Sequence, residues 1–179
     1  MPNTVKVFFH DIKYLLLVST VIFTLSLFFG FYLESRLEGS FFSATDHTTM
    51  DIFQNNIKAS VPFILGFVSL GVSTVAALLI NGVAIGGSIL ASTDHLSTVQ
   101  IILLLIPHGI LEIPALMLSS TIGFYSLKIL FLFIRGKSIN LKHELMNVGK
   151  LLILVLVLFV TAAFVEANIT TVFHPFTKE

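Results

Sequence analysis

Residues 101–134 read IILLLIPHGILEIPALMLSSTIGFYSLKILFLFI, and this apolar run decides the class of fold. The hydrocarbon core of a bilayer is about 30 Å thick and is crossed by roughly 20 apolar residues in a helix. As one helix, the run would extend about 51 Å, well beyond that thickness. Pro107 and Pro114 each remove a backbone hydrogen bond and disfavour helix in the preceding residue. We therefore predict that the run divides into two segments at a proline-broken helix.

The rest of the chain has the same apolar character. Of its 179 residues, 55% are hydrophobic and 11% are charged, whereas soluble domains typically have about 25% charged residues. The mean hydropathy is +0.98. Apolar runs near residues 14–33, 61–90 and 151–173 are also long enough to cross a bilayer. The sequence therefore predicts an all-α, polytopic transmembrane helix bundle of four to five spans, a single domain over residues 1–179 in the cell membrane.

Charged residues between the runs predict the orientation of the bundle. Lys6 and Lys13 precede the first run, and a second basic cluster occupies residues 135–150. Cytoplasmic loops are enriched in Lys and Arg, so both should be cytoplasmic, while the acidic residues 34–51 should lie outside. This arrangement needs one additional crossing before residue 135, which the two halves of the proline-broken run supply. It places the N-terminus in the cytoplasm and the C-terminus outside. The predicted spans are about residues 14–33, 61–90, 101–113, 114–134 and 151–173.

Several function classes find no support in the composition. The ten Lys and Arg residues equal the ten Asp and Glu residues and form no basic stripe, so nucleic acid is not an expected partner. The chain has no Cys, which excludes disulfides and thiolate metal sites. It has no Trp either, so an interfacial aromatic belt would use Tyr14, Tyr32, Tyr125 and some of the Phe residues. The expected partner of most of the surface is the lipid bilayer.

Ionisable groups inside the apolar runs are candidates for function. A charged side chain at the centre of a span costs about 2.5–3.5 kcal/mol on insertion scales. His108 and Glu112 have i, i+4 spacing, which in an α-helix places both on one face, and Glu166 lies deep in the last run. Because none of the three should face lipid, we expect them to converge on one buried or hydrated cavity. Supporting amides would come from Asn55, Asn56 and Asn81.

Three interpretations of this polar site follow from its chemistry. It is a hydrogen-bonded core that fixes helix packing, or a metal site, or a proton relay in a small transporter. For the metal site, His108, Glu112 and Glu166 would bind a divalent ion, zinc above all, because one imidazole and two carboxylates leave a position open for water. The spacing does not match the two-histidine motif of zinc peptidases. The sequence alone does not decide whether the protein is an enzyme.

Small residues also recur at helical spacing. Gly82 with Gly86, and Ser119 with Gly123, are separated by three residues each. Such pairs allow two helices to approach closely. They predict tight packing, including a homo-oligomer formed through these faces.

A series of motifs runs in order from about residue 50 to residue 170. The motifs are Phe53-Gln54-Asn55-Asn56, Gly66, Gly71, Asn81-Gly82 with Gly86, Pro107-His108-Gly109-Ile110-Leu111-Glu112-Ile113-Pro114-Ala115, Gly123, Ala162-Ala163-Phe164-Val165-Glu166-Ala167 and Thr170. Together they resemble the stage II sporulation protein M family of polytopic membrane proteins. The Pro-His-Gly-x-x-Glu block and the late Ala-x-x-x-Glu are the most specific parts of this resemblance.

The resemblance implies a membrane component that works with partners. In endospore formers the namesake acts with cell-wall hydrolases at the division septum, and some relatives accompany circular bacteriocins, where maturation, export or immunity are the roles considered. The resemblance thus implies a partner-binding component of an envelope-remodelling or peptide maturation and export system. The alternatives are a metal-dependent intramembrane hydrolase, such as a peptidase, using the polar site, and a small transporter.

Overall fold

A computed structural model describes the fold over residues 4–36, 49–94 and 96–173. Within these ranges it describes the side chains of residues 12–36, 56–94, 96–102 and 109–165. The described chain consists of helices joined by turns, which confirms the predicted all-α class. The helices are α1 (Thr4–Glu34), α2 (Thr49–Leu65), α3 (Val72–Ser92), α4 (Thr98–Pro107), a π-helical turn (His108–Glu112), α5 (Ile113–Ile134) and α6 (Leu141–Phe173).

Four of the helical segments are long and apolar enough to cross a membrane. They are Ile12–Glu34, Val72–Ser92, Gly109–Ile134 and Leu141–Val165. Large apolar side chains such as Leu17, Ile80 and Ile153 are exposed on the outside of these helices. A water-soluble protein does not expose so many apolar side chains on long helices, whereas lipid solvates them. The chain is therefore a multi-pass membrane protein whose outer surface contacts the bilayer.

Helices α1 and α3 form the closest backbone contact in the bundle. A Cβ atom on Gly82 would lie 2.9 Å from the carbonyl oxygen of Phe23, and one on Gly86 would lie 3.1 Å from the amide nitrogen of Phe31 and overlap the carbonyl oxygen of Leu27. Residue numbers rise together along this contact, so α1 and α3 run parallel. Only glycine permits two helices to come so near. This small-residue face is therefore filled by α1 of the same chain, and a homo-oligomer stays a prediction.

The predicted span 61–90 corresponds to the end of α2, a tight turn and α3. The turn has Leu70 at φ 50° and Gly71 at φ 83°, the left-handed region that favours glycine. Beyond the turn, the Thr74 hydroxyl donates a 2.7 Å hydrogen bond to the carbonyl oxygen of Phe63. The same carbonyl oxygen accepts a 3.2 Å hydrogen bond from the backbone amide of Gly66, so the hydroxyl adds a second bond that joins the start of α3 to the end of α2. As a result α2 folds back against α3 as a helical hairpin.

Helix α2 also packs along α5, in the same direction. At its middle, Asn56 hydrogen-bonds to Glu112, immediately before α5. Near its end, the carbonyl group of Phe63 lies so close to Gly123 that a Cβ there would overlap the carbonyl oxygen. Later residues of α2 therefore meet later residues of α5. The second predicted small-residue pair, Ser119 and Gly123, is accordingly buried within the chain.

A π-helical turn lies where the two prolines predict a broken helix. Residues 98–134 are helical throughout, without a loop between Pro107 and Pro114. Pro107 ends α4, and Pro114 lies in the first turn of α5, where its missing N–H is not needed. A π-helical turn uses i→i+5 hydrogen bonds. The α-helical spacing assumed for His108 and Glu112 therefore does not apply here, and the crossing predicted inside this run stays a prediction.

Candidate functional site

The π-helical turn carries a buried acid. Glu112 ends the turn, and its side chain is buried in the bundle. The side-chain amide of Asn56, on α2, donates a hydrogen bond to its Oε1 atom. A carboxylate in an apolar interior is costly unless it is hydrogen-bonded, and this amide provides such a bond. The structure thus brings together two of the predicted polar residues, from helices 56 positions apart in sequence.

The backbone positions of His108 and Glu166 can be placed, although their side chains lie outside the described residues. His108 begins the π-helical turn, and Glu166 lies in the last third of α6. Helices α5 and α6 are antiparallel, since Lys128 meets Glu144 as the two helices leave their connecting loop. Helix α6 continues from there past the π-helical turn to α4. Counting equal lengths along the two helices from the Lys128–Glu144 contact pairs Glu166 with residue 106, near the end of α4.

Of the two remaining predicted amides, only Asn81 has a described side chain. The Asn81 amide nitrogen donates to the carbonyl oxygen of Ala77, one turn earlier in α3, at 2.8 Å. Asn81 therefore makes a bond within its own helix. Asn55 lies on α2 beside Asn56, and its side chain is outside the described residues.

A metal site is not apparent among the described side chains. In that part of the chain no three His, Cys, Asp or Glu residues lie close enough together to hold an ion. Two members of the candidate set His108, Glu112 and Glu166 fall outside it. The predicted zinc ligation therefore stays a prediction.

A second buried polar cluster, which the sequence analysis did not anticipate, joins α5 to α6. The Tyr125 hydroxyl donates to Oε2 of Glu144 at 2.7 Å, and the Lys128 ammonium donates to the same oxygen at 2.8 Å. The Lys128 ammonium also lies 3.1 Å from the Tyr125 hydroxyl oxygen, to which the Asn147 amide donates at 3.3 Å. Each group bonds to another member, so the four side chains form one network. We call these four residues the α5–α6 clasp.

The clasp corrects one expectation from the sequence. Tyr125 was a candidate for an interfacial aromatic belt, but its side chain is 0% exposed and serves as the centre of the clasp. Tyr14 and Tyr32 are exposed, as a belt requires. The sequence contains a pattern that could have predicted the clasp. A pair of polar residues with i, i+3 spacing lies on each side of the last loop: Tyr125 with Lys128 on α5, and Glu144 with Asn147 on α6. Residues so spaced share one helix face, so two such pairs on antiparallel helices are able to meet.

The fold and the two polar clusters define a class of protein. It is a polytopic helical membrane protein with a buried carboxylate at a π-helical turn and, over the residues that the structure describes, very little chain outside the helices. More particularly, the chain belongs to the stage II sporulation protein M family, because the family profile described as Stage II sporulation protein M matches residues 19–171. This confirms the resemblance drawn from the motifs.

Two relatives come from the archaeon Methanocaldococcus jannaschii, and both are named as uncharacterized proteins. One is 28% identical over 168 residues, covering 87% of this chain and 93% of the relative. The other is 33% identical over 129 residues, covering 69% of this chain and 56% of the relative. The chain thus corresponds to nearly the whole of the first relative and to about half of the second. No solved structure matches the chain.

Proposed function

We propose that the protein is a partner-binding membrane component of an envelope-remodelling or peptide maturation and export system. Membership of the stage II sporulation protein M family supports this proposal. The described chain offers no separate soluble domain for catalysis or scaffolding, since its helices are joined by turns and short connections. Partner contacts would then involve mainly the membrane-embedded helices and their ends.

The observation that carries the proposal is the hydrogen bond from Asn56 to Glu112. It commits a buried acid to joining α2 to the π-helical turn, which is a packing role. Outside this contact, the turn presents an open surface: Ile110 is 64% exposed, and a Cβ on Gly109 would meet nothing within 4 Å. A π-helical turn interrupts the regular helix surface and is frequent at functional sites. We infer that a partner helix contacts the bundle at residues 109–110.

Site-directed photocrosslinking in the native membrane tests this proposal. A photoreactive amino acid at Ile110 should give an adduct of defined mass with one partner. The matched control is Ile153 on α6, which is 66% exposed and should contact lipid only. Glu112→Gln should leave the adduct intact, because its side-chain oxygen still accepts the Asn56 hydrogen bond. Equal labelling at both positions, or none at Ile110, contradicts a partner at the π-helical turn.

A metal-dependent intramembrane hydrolase is the second candidate. It is favoured by the antiparallel path of α5 and α6, since counting along both helices from the Lys128–Glu144 contact pairs Glu166 with residue 106, two residues before His108. One imidazole and two carboxylates suit zinc with an open position, and bound zinc lowers the pKa of water so that it acts as a nucleophile. In this version Asn56 would orient Glu112 as a ligand.

Elemental analysis of purified protein separates the two candidates. The hydrolase predicts a stoichiometric metal ion that is lost in His108→Ala, Glu112→Gln and Glu166→Gln. His143→Ala is the control, because it removes a histidine at the start of α6, far from the π-helical turn along the chain. Retention in this control with loss in the other three supports metal binding. A metal-free wild type ends the hydrolase candidate.

A further inference from the structure

The parallel arrangement of α1 and α3 constrains how the chain crosses the membrane. Both helices contain segments long enough to span it. Because they run in the same direction, the end of α1 and the end of α3 lie on the same side. The chain between residues 35 and 71 must therefore return across the bilayer before α3 begins.

Helix α2 is the described helix in this interval. Its 17 residues extend about 26 Å, close to the thickness of the hydrocarbon core. Its first half is polar, but α2 packs against α3, α5 and α6 rather than standing alone in lipid. Of the described polar side chains of α2, Ser60 is buried and Asn56 bonds Glu112, whereas Lys58 is exposed. Length and direction therefore suit a crossing.

Charge supports the same path. With α2 as a crossing, the ends of α1, α3 and α6 lie on one side, and the N-terminus and the α5–α6 loop lie on the other. Seven of the ten cationic residues then lie on the N-terminal side. These are Lys6, Lys13, Lys128, Arg135, Lys137, Lys142 and Lys150. Enrichment of Lys and Arg marks the cytoplasmic side.

The depth of Glu112 follows from this path. Phe63, near the cytoplasmic end of α2, lies against Gly123, and Glu112 lies 11 residues before Gly123, about 17 Å along the helix. That length is about half of the hydrocarbon core of about 30 Å. Asn56, which bonds Glu112, is the eighth of the 17 residues of α2. The two residues therefore lie near the middle of the membrane, and the π-helical turn extends from Glu112 toward the outer side.

We propose that α2 is a membrane crossing, giving five crossings with a cytoplasmic N-terminus, and that the polar site at the π-helical turn is reached from outside the cytoplasm. This differs from the crossing predicted inside residues 101–134. The extracytoplasmic access rests on the proposed function and deepens it, because it assigns the partner or substrate segment to that side of the membrane. The crossing by α2 does not depend on the proposed function.

The chain has no Cys, so single-Cys variants can be labelled without a background. Ser35, Thr93 and Ser138 are exposed at the ends of α1, α3 and α5, respectively. With a membrane-impermeant maleimide, Ser35→Cys and Thr93→Cys should react in intact cells, and Ser138→Cys only after permeabilisation. If α2 does not cross and residues 61–90 form one span, Thr93→Cys reacts only after permeabilisation. That result overturns the proposed crossing.

Gly109→Cys tests access to the polar site separately. A side chain there meets no other atom within 4 Å, so the variant should fold. It should react in intact cells, and labelling of all variants in denaturant serves as the control for expression. Protection of Gly109→Cys in intact cells, with Thr93→Cys reacting, overturns outer access but leaves the crossing. Crosslinking at Ile110 is an independent measurement, so failure of the topology and failure of the proposed partner remain distinguishable.

Discussion

Gly86→Ala should markedly destabilise the folded bundle, whereas Gly149→Ala should not. At Gly86 the new methyl group overlaps the carbonyl oxygen of Leu27, a backbone atom that cannot move without shifting α1. Overpacking of this kind typically costs about 1–3 kcal/mol, occasionally more. At Gly149, in α6, a Cβ would meet nothing within 4 Å. There the substitution should stabilise the helix by roughly 0.5–1 kcal/mol, because alanine loses less backbone entropy than glycine.

The free energy of unfolding of the two variants in mixed micelles, followed by circular dichroism during SDS titration, provides the comparison. The chemical change is the same in both, so helix propensity cancels and the α1–α3 contact accounts for the difference. If Gly86→Ala is as stable as Gly149→Ala, α1 and α3 do not pack through Gly86. If Gly86→Ala keeps its stability but no longer forms the partner adduct at Ile110, Gly86 instead belongs to an intermolecular contact.

The sequence predicts the helical class and most of the long helices because bilayer thickness fixes their length. The spacing of small residues also predicts a close helix contact at Gly82 and Gly86. The spacing of the glycines does not predict which helix packs against them. That partner is α1 of the same chain, which lies about 55 residues earlier.

The hairpin of α2 and α3 is harder to predict for a physical reason. The first half of α2 is polar, so hydropathy merges its apolar end with α3 into the single run 61–90. The turn between them depends on backbone conformation at Leu70 and Gly71 and on the Thr74 hydroxyl, none of which changes hydropathy much. A prediction from hydropathy therefore treats residues 61–90 as one span and places the additional crossing inside residues 101–134.

The candidate site is only partly predictable as well. Burial arguments bring Asn56 and Glu112 to one place because neither should face lipid, and the two side chains are hydrogen-bonded. Exact spacing rules fail at the π-helical turn, since they assume an α-helix. The α5–α6 clasp escapes such arguments because Lys128 and Glu144 lie near the ends of apolar runs, where a charge normally reaches water.

Lys128→Ala should cause a large loss of stability. The ammonium bonds both Glu144 and Tyr125, and the side chains of Lys128 and Glu144 are only 18% and 11% exposed. Removing one partner of a buried ion pair leaves an uncompensated charge and costs about 3–5 kcal/mol. The Tyr125 hydroxyl still donates to Glu144, so the lower part of that range is expected.

Lys142→Ala is the matched control, because it removes the same side chain from an exposed position in the first turn of α6. Surface substitutions usually change stability by less than about 0.5 kcal/mol. Both variants are compared with wild type by SDS titration in mixed micelles. A similar, small effect of both would mean that the clasp does not hold α5 against α6.

A double-mutant cycle identifies the charge pair as the cause. Lys128→Met keeps the length of the side chain, and Glu144→Gln keeps an acceptor for the Tyr125 hydroxyl. If the single variants suffer from an unpaired buried charge, the double variant should be more stable than the sum of their effects predicts, by about 0.5–3 kcal/mol. Strict additivity would assign the loss to packing of the lysine stem. The clasp would then act through apolar contact rather than through its ion pair.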